Sequence, residues 1–432
     1  MQNEDGARIL SKDVEKFDGK NVLVSGRVFN IRKLGGISFI LIEDRNGIIQ
    51  TVWEKEADTK VGDIVEIEGV AKKDDRAAGG SEIQGQKLTV ISSSEIDLPY
   101  DPSVKELNLH LTTLLDNRVV TVRHPRVKAI FALYNILLKA YEQVMREEDF
   151  TEIKTPKLLG SLTEGGANFF KVKYFDREAY LAQSPQFYKQ IMVGAFERVF
   201  EIGPVFRAEP HFTTRHINEY ISFDAEMGFI KNDKDVRRQL NIVFKKMFEI
   251  ISEEGKDHLK FLDVTLDKVP DEIPEIKLSE AKQKIKEKYG YSVPESTDID
   301  PEGERLICRY AKEKWGSDFV FVTHYPWKDR PFYTMPADSK QEETLGFDLL
   351  YKQMEIVTGG QRIHSYSELV KNMELKKVNP KGMEFYLETF KSGMPPHGGW
   401  AIGSERLIQL ILGLSTVKEA SLFPRDVKRL TP

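Results

Sequence analysis

Apolar residues recur with two different periods along this chain, and the period changes near residue 120. Val22, Val24 and Val28 alternate with Leu23, Ser25 and Arg27, which predicts a half-buried strand. Ile37 to Ile42 follows Gly35-Gly36 and predicts a second. Arg45-Asn46-Gly47 predicts a hairpin turn with φ > 0 at Asn46 and Gly47. Runs at Ile48 to Trp53, Asp63 to Ala71 and Gln86 to Ser92 complete a five-strand set, the number and spacing of a small closed barrel. From Asp97 to Arg118, Pro99 and Pro102 interrupt a stretch without periodicity, which reads as a hinge. The spacing then becomes helical. Pro125 suits a first-turn position, and Ile130, Leu133, Leu137, Tyr141, Val144 and Met145 form one apolar face. Beyond Pro156 strands dominate, with helices expected at about 184–196, 234–255, 278–288 and 303–314. Leu407, Leu410 and Ile411 bury one face of a further helix that starts near Arg406. Mostly antiparallel strands interspersed with helices indicate an α+β fold rather than a doubly wound one.

A chain of 432 residues is too long for one small core. The expected division is a barrel over 1–98, a hinge over 99–120 and a second domain over 121–432. With 40% apolar and 30% charged residues, the composition is that of a globular protein. No apolar run approaches the roughly 20 residues that cross a bilayer, so no membrane partner is expected. The polar start, Met1 to Gly6, shows no secretory signal, and a cytoplasmic location is the expectation. Cys308 is the only cysteine, which excludes an intrachain disulfide and any multi-cysteine zinc site. A net charge of −5 gives no global sign of nucleic-acid binding, so any RNA contact must use local basic patches.

The chemistry concentrates in Phe206 to His216. Two arginines, a glutamate and two histidines fall within eleven residues. Val199 to Phe206 before it reads as a buried strand, and Ile217 to Met227 after it as a strand with alternating acids. A polar loop between two strands presents cations at one end of a sheet, and arginine forks suit phosphate oxygens. The bland alternative is a surface hairpin with solvated charges. Asp348 and Glu355 lie seven apart, an odd spacing that puts them on opposite faces of one straight strand. A turn at Tyr351-Lys352-Gln353 removes the conflict, and two carboxylates beside phosphate oxygens suit Mg²⁺.

The loop resembles motif 2 of the class II aminoacyl-tRNA synthetases. The helix from Pro125 with Phe150 to Pro156 resembles motif 1, and Gly398 to Leu407 resembles motif 3. Within the class, the chain is most similar to the archaeal and eukaryotic type of aspartyl-tRNA synthetase. Gln183 to Gln190, Gly359-Gly360-Gln361-Arg362 and Leu422 to Pro432 carry that likeness. The resemblance implies an N-terminal barrel of the oligonucleotide-binding (OB) type, a hinge and a catalytic domain built on an antiparallel sheet flanked by helices. It implies ATP and L-aspartate as substrates, Mg²⁺ as cofactor and aspartate tRNA as partner. It further implies a homodimer, with the apolar face of the Pro125 helix at its interface.

The resemblance also assigns residues. Arg207 would bind the α-phosphate, Arg215 and His216 the distal phosphates, and Glu209 the adenine amino group. Tyr220 and Arg406 would sandwich the adenine. Asp348, Glu355 and Thr358 would hold the metal. Lys189 and Arg362 would grip the aspartate side chain, with Asp224 holding both cations in place, and Gln186 and Glu164 would surround its α-amino group. In the barrel, Phe29, Arg32, Phe39, Gln50, Ala78 and Glu82 match positions around the anticodon. Phe29 and Ala78 stand where discriminating relatives carry tryptophan and lysine, which implies that asparagine tRNA is charged as well. An asparaginyl enzyme and a non-catalytic tRNA-binding paralogue are the alternatives. Asparagine is neutral, so a second cation in its pocket would lie buried without a partner, which favours aspartate.

Overall fold

The computed structural model describes residues 7–77, 80–160, 168–210, 212–294 and 298–432. The chain divides into two compact units, Met1–Val127 and Lys128–Pro432.

In the first unit, β1 (Asn21–Leu34), β2 (Ile37–Asp44), β3 (Gly47–Trp53), β4 (Ile64–Lys73) and β5 (Ser81–Ser92) close a barrel in the order β1-β2-β3-β5-β4. The alternation on β2 and β3 sends Ile40, Ile42 and Ile49 inward. A 3₁₀ turn, Ser11–Phe17, adds Val14 to the same core. The β2–β3 turn falls where expected, but Asn46 does not take a positive φ; Gly47 does. Asp44 Oδ1 accepts the Asn46 and Gly47 amides instead, so a side chain closes the turn. Positive φ at two consecutive positions occurs at Gly35 and Gly36, between β1 and β2. The segment expected as a hinge carries two short helices, α1 (Leu111–Asp116) and α2 (Arg118–Thr121).

Helix α3 (Pro125–Glu147) leads into the second unit. Its sheet uses β6 (Thr151–Glu152), β10 (Arg198–Phe206), β11 (Glu219–Gly228), β12 (Glu275–Lys277), β13 (Phe319–Thr323), β14 (Gly346–Tyr351), β15 (Met354–Arg362) and β16 (His397–Gly403). The order is β12-β13-β14-β15-β16-β11-β10-β6, antiparallel throughout its centre and parallel at both edge pairs. A smaller sheet orders β7 (Leu158–Leu159), β9 (Arg177–Leu181) and β8 (Lys171–Tyr174).

The apolar face of α3 faces inward. Ile130, Leu133, Leu137, Tyr141, Val144 and Met145 are buried in one cluster with Phe200 and Phe223 of the sheet. Tyr141 stacks on Phe223 at 4.4 Å. That stripe is therefore part of the chain's own core, which corrects the expectation that it faces a second subunit. A helical period reports burial and not what does the burying.

The expected helices appear as α4 (Gln186–Phe196), α5 (Asp233–Glu254), α7 (Leu278–Tyr289), α8 (Pro301–Trp315) and α11 (Ser404–Leu412), with α6 (Lys256–Phe261) between α5 and α7. Their starts are chemically marked. Asn232 accepts the Lys234 amide before α5, and Asp300 accepts that of Gly303 before α8, whose first residue is Pro301. Two unexpected helices, α9 (Tyr366–Leu375) and α10 (Glu384–Lys391), pack with α4 around Phe187 and Tyr386. They brace the edge of the site described next.

Candidate active site

The centre of the large sheet carries the site. Asp348, Thr358, Ala401 and Asp224 lie in one row across β14, β15, β16 and β11, and Ser222 of β11 pairs with Gly403. Residues opposite one another in neighbouring strands share a face. A cavity of about 220 Å³ opens on this face. It is lined by the expected Arg207, Glu209, Arg215, His216, Tyr220, Glu355, Thr358 and Arg406, joined by Ser222 and Glu405. Of the nine residues assigned to nucleotide or metal, all save Asp348 thus meet at one opening.

Their charges are partly engaged. Arg207 stands 3.7 Å from Glu209 and lies over the Tyr220 ring at 6.0 Å. His216 Nδ1 meets Thr213 Oγ1 at 2.6 Å, with Nε2 3.9 Å from Glu209. Arg215 pairs with Glu304 of α8, so its charge is already countered before any phosphate arrives. Arg406 donates to the Glu355 carbonyl at 2.9 Å and stands 3.8 Å from its carboxylate.

The acid pair is placed by a hairpin and a bulge. The turn at Lys352-Gln353 reverses the chain between β14 and β15 as expected. Leu349 pairs with Val357 and Leu350 with Glu355, so Ile356 is an extra residue on β15. That bulge brings Glu355 and Thr358, three apart, onto one face. Asp348 accepts from part-buried Arg330 at 2.6 Å through Oδ2, while Oδ1 is buried with no hydrogen-bond partner among the described residues. Arg330 also donates to Thr358 Oγ1 at 3.0 Å. Burial and the nearby Asp348 charge push Glu355 up to about 7, against the pull of Arg406. Among the described residues, no group of three or more His, Cys, Asp or Glu is arranged for a metal. Two carboxylates, one with a bare oxygen, suit a cation such as Mg²⁺ that draws its remaining ligands from phosphate and water.

Deeper in the sheet lies a second polar cluster. Lys189 of α4 is buried and donates to Asp224 at 3.0 Å and to the Trp400 carbonyl at 2.9 Å. Glu226, two residues along β11, stands 3.6 Å from the same ammonium. Arg362, at the end of β15, gives Nε to Glu226 at 2.9 Å and Nη2 to the Gly399 carbonyl at 3.1 Å. Its Nη1 has no partner among the described residues. Burial opposes the Glu226 charge, but Arg362 and Lys189 outweigh it and hold the carboxyl below its usual range. The expected Lys189 and Asp224 therefore meet, with Arg362 joined to them through Glu226; Gln186, three residues before Lys189 on α4, donates instead to Gln190 at 2.9 Å, and Ser222, on the cavity wall, bonds Asp224 Oδ2 at 2.6 Å. Glu164 lies outside the described residues.

Besides Ser222 and Glu405, sequence reasoning gave no role to Glu226, Arg330 and Glu304. Glu226 was signalled by the alternation Asp224-Ala225-Glu226, which puts both acids on one face. Arg330 and Glu304 lie in a loop and a helix far along the chain and carry no local signal.

On the barrel, Arg32 pairs with Phe39 across β1 and β2, and Gln50 pairs with Glu82 across β3 and β5. Gln50 Nε2 donates to Glu82 at 3.0 Å, as does Gln84 at 2.7 Å. These four residues share the outer face. Phe29 is the unpaired residue of a bulge in β1 and is buried. Ala78 lies outside the described residues.

The family described as tRNA synthetases class II (D, K and N) matches residues 110–427, and the OB-fold nucleic-acid-binding domain matches 22–91. The chain belongs to the class II tRNA synthetases. This class II synthetase is 44% identical to an aspartate–tRNA(Asp/Asn) ligase of Deinococcus radiodurans, over 98% of the chain and 99% of that protein. It is 41% identical to an aspartate–tRNA(Asp) ligase of Pyrococcus horikoshii, over 97% and 98%. The crystal structure of the asparaginyl-tRNA synthetase of Pyrococcus horikoshii, complexed with asparaginyl-adenylate, superposes with a TM-score of 0.90 at 30% identity, over 99% of this chain and 100% of that one. As a class II synthetase, the chain uses ATP and tRNA. No helix among the described residues is long and apolar enough to cross a membrane.

Proposed function

We propose that this chain ligates aspartate to tRNA through an aspartyl-adenylate. The observation that carries the reading is Arg362, a buried guanidinium whose Nε and Nη2 are engaged and whose Nη1 is left for a substrate anion. Asp224 and Glu226 already balance the two cations, which corrects the expectation that a neutral side chain would leave a cation without a partner; the case for aspartate rests on the remaining Nη1 donor of Arg362.

The attacking group of aspartate is already an anion, so no general base is needed. Rate comes from alignment and charge neutralisation. The row across β11, β16, β15 and β14 supports an amino-acid pocket that would lie beside the cavity lined by Arg207 and Arg406. Arg207 would meet the α-phosphate where charge develops. Tyr220 and Arg406 would hold the adenine between them, with Glu209 accepting from its amino group. His216 and Arg215 would reach the distal phosphates, Arg215 only after exchanging Glu304 for phosphate. Asp348, Glu355 and Thr358 would hold Mg²⁺, which, when bound, neutralises phosphate charge. The adenylate would then pass its aspartyl group to the tRNA 3′-terminal ribose. The reading includes a cytoplasmic homodimer.

ATP–pyrophosphate exchange without tRNA tests the substrate. Aspartate should drive it and asparagine should not; equal or better exchange with asparagine refutes the reading. A second reading concerns which tRNAs are charged. Phe29 lacks the indole N–H, and Ala78 lacks the lysine charge, of discriminating relatives. One lost polar contact is worth about 1–3 kcal/mol of base discrimination, so both aspartate and asparagine tRNAs should be aspartylated, the former faster. A preference above about a hundredfold, or ~2.7 kcal/mol, refutes it.

A further inference from the structure

A chain of buried amides lies beneath the amino-acid pocket, and its polarity can be worked out atom by atom. His397, Gln190 and Tyr386 are all fully buried. His397 Nδ1 lies 2.8 Å from the Pro395 carbonyl. A carbonyl oxygen only accepts, so Nδ1 carries the proton. Burial holds the imidazole below its ordinary range, with Glu226 opposing and Arg362 and His364 assisting, so the ring is neutral. Its Nε2 is therefore an acceptor. Gln190 turns its amide nitrogen to that atom at 2.9 Å. The Gln190 oxygen then faces the other way, where it accepts from Gln186 Nε2 at 2.9 Å and from the Tyr386 hydroxyl at 3.1 Å. Gln186 consequently has its nitrogen tied down. Its Oε1 receives no donor from any described residue.

We propose that His397 and Gln190 are positioning residues that relay the direction of the Pro395 carbonyl to Gln186, so that Gln186 presents its oxygen, and not its NH₂, to the substrate α-ammonium. The inference rests on the aspartate reading above and extends it to two residues that touch no substrate. An unanchored glutamine amide presents either end; turning its NH₂ toward an ammonium replaces attraction by repulsion. His397 also pairs with Arg362 across β15 and β16, so the relay starts from the strand end that holds the side-chain donor.

Three variants and one non-reacting ligand test this in pyrophosphate exchange. Gln190→Met keeps length and removes both amide groups. It should raise the aspartate KM by about tenfold or more and leave the ATP KM within about twofold. Succinate, which has both carboxylates and no ammonium, should compete as well against the variant as against the wild type. A merely structural defect would weaken succinate and aspartate together. His397→Phe keeps a ring against Phe390 and removes the Nε2 acceptor; it carries the same expectation should Gln190→Met not fold. Gln186→Met separates the two levels of the argument. If Gln186→Met raises the aspartate KM while Gln190→Met and His397→Phe do not, the relay is refuted and the pocket stands. If Gln186→Met leaves the aspartate KM unchanged, the pocket reading and the relay both fall.

Discussion

Replacing Glu226 by glutamine removes one buried charge and almost no volume. The carboxylate lies between two cations, 2.9 Å from Arg362 Nε, 3.4 Å from Nη2 and 3.6 Å from Lys189 Nζ. Without its charge, two buried cations share Asp224 alone. Removing one partner from a buried ion pair costs about 3–5 kcal/mol. The glutamine oxygen still accepts from one guanidinium N–H, so the lower end, about 3 kcal/mol, is expected. The pH dependence has a definite sign. Arg362 and Lys189, against burial, hold the folded-state Glu226 below its unfolded value of 4.5. Its contribution is therefore full above that value and is lost as pH falls through the folded pKa. The gap between wild type and Glu226→Gln should be widest at neutral pH and close in acid. Urea unfolding followed by tryptophan fluorescence measures it, because Trp315, Trp327 and Trp400 all lie in the second unit. Aspartate should stabilise the variant more than the wild type, since its side chain replaces the missing anion. A loss under about 1 kcal/mol at pH 7, or a gap that widens in acid, refutes the charge-balance argument.

Three shorter predictions follow from the same face of the sheet. A Cβ at Gly399 would lie 2.0 Å from the Ala225 carbonyl oxygen and 2.4 Å from Glu226 Oε2; Gly399→Ala should cost about 3 kcal/mol in urea unfolding and weaken aspartate binding. Glu355→Gln should lower exchange by about a hundredfold and flatten its response to a Mg²⁺ titration, without lowering stability, because it removes a like charge from Asp348. Burial pushes Glu405 up to about 7 from 4.5, so the folded state keeps a proton that the unfolded state loses. Stability should fall as pH rises from 4.5 to 7, by about 3 kcal/mol; Glu405→Gln should lack this fall and gain on the wild type between pH 5 and pH 8.

What was legible in the sequence was whatever short-range period or side-chain chemistry decides. The barrel strands showed their alternation, and α3 showed its Pro125 start. The loop from Phe206 to His216 showed itself because its charged residues are crowded within eleven positions. The β2–β3 turn was placed correctly but for a different reason: Asp44, not a left-handed Asn46, closes it. The apolar stripe of α3 was found, yet its partner was assigned wrongly. A stripe that meets Phe200 and Phe223 looks the same in sequence as one that meets another subunit. Helices α9 and α10 were missed because they are short, at ten and eight residues, and rely on packing against α4. Arg330 was missed because its partners, Asp348 and Thr358, lie 18 and 28 residues away.

The register of the large sheet turns these separated residues into one site. Asp348, Thr358, Ala401 and Asp224 come from four strands and are opposite one another only in this pairing. A slip of one residue between β11 and β16 would turn Asp224 and Glu226 to the other face and leave Lys189 and Arg362 buried without anions. The ion pairs therefore oppose slippage, beside the role proposed for them in binding substrate. The bulge at Ile356 adds a second condition, since Glu355 and Thr358, three residues apart, share a face only because the bulge absorbs one residue of that odd spacing. Inserting one alanine between Ile356 and Val357 would keep every proposed ligand in the chain yet, with the single bulge retained, turn Glu355 to the face opposite Thr358. Such a protein should retain its aspartate pocket, built on the far side of the bulge, while losing its response to Mg²⁺. Calorimetric binding of aspartate, set beside Mg²⁺-dependent exchange, distinguishes that outcome from general collapse of the sheet, in which both would be lost.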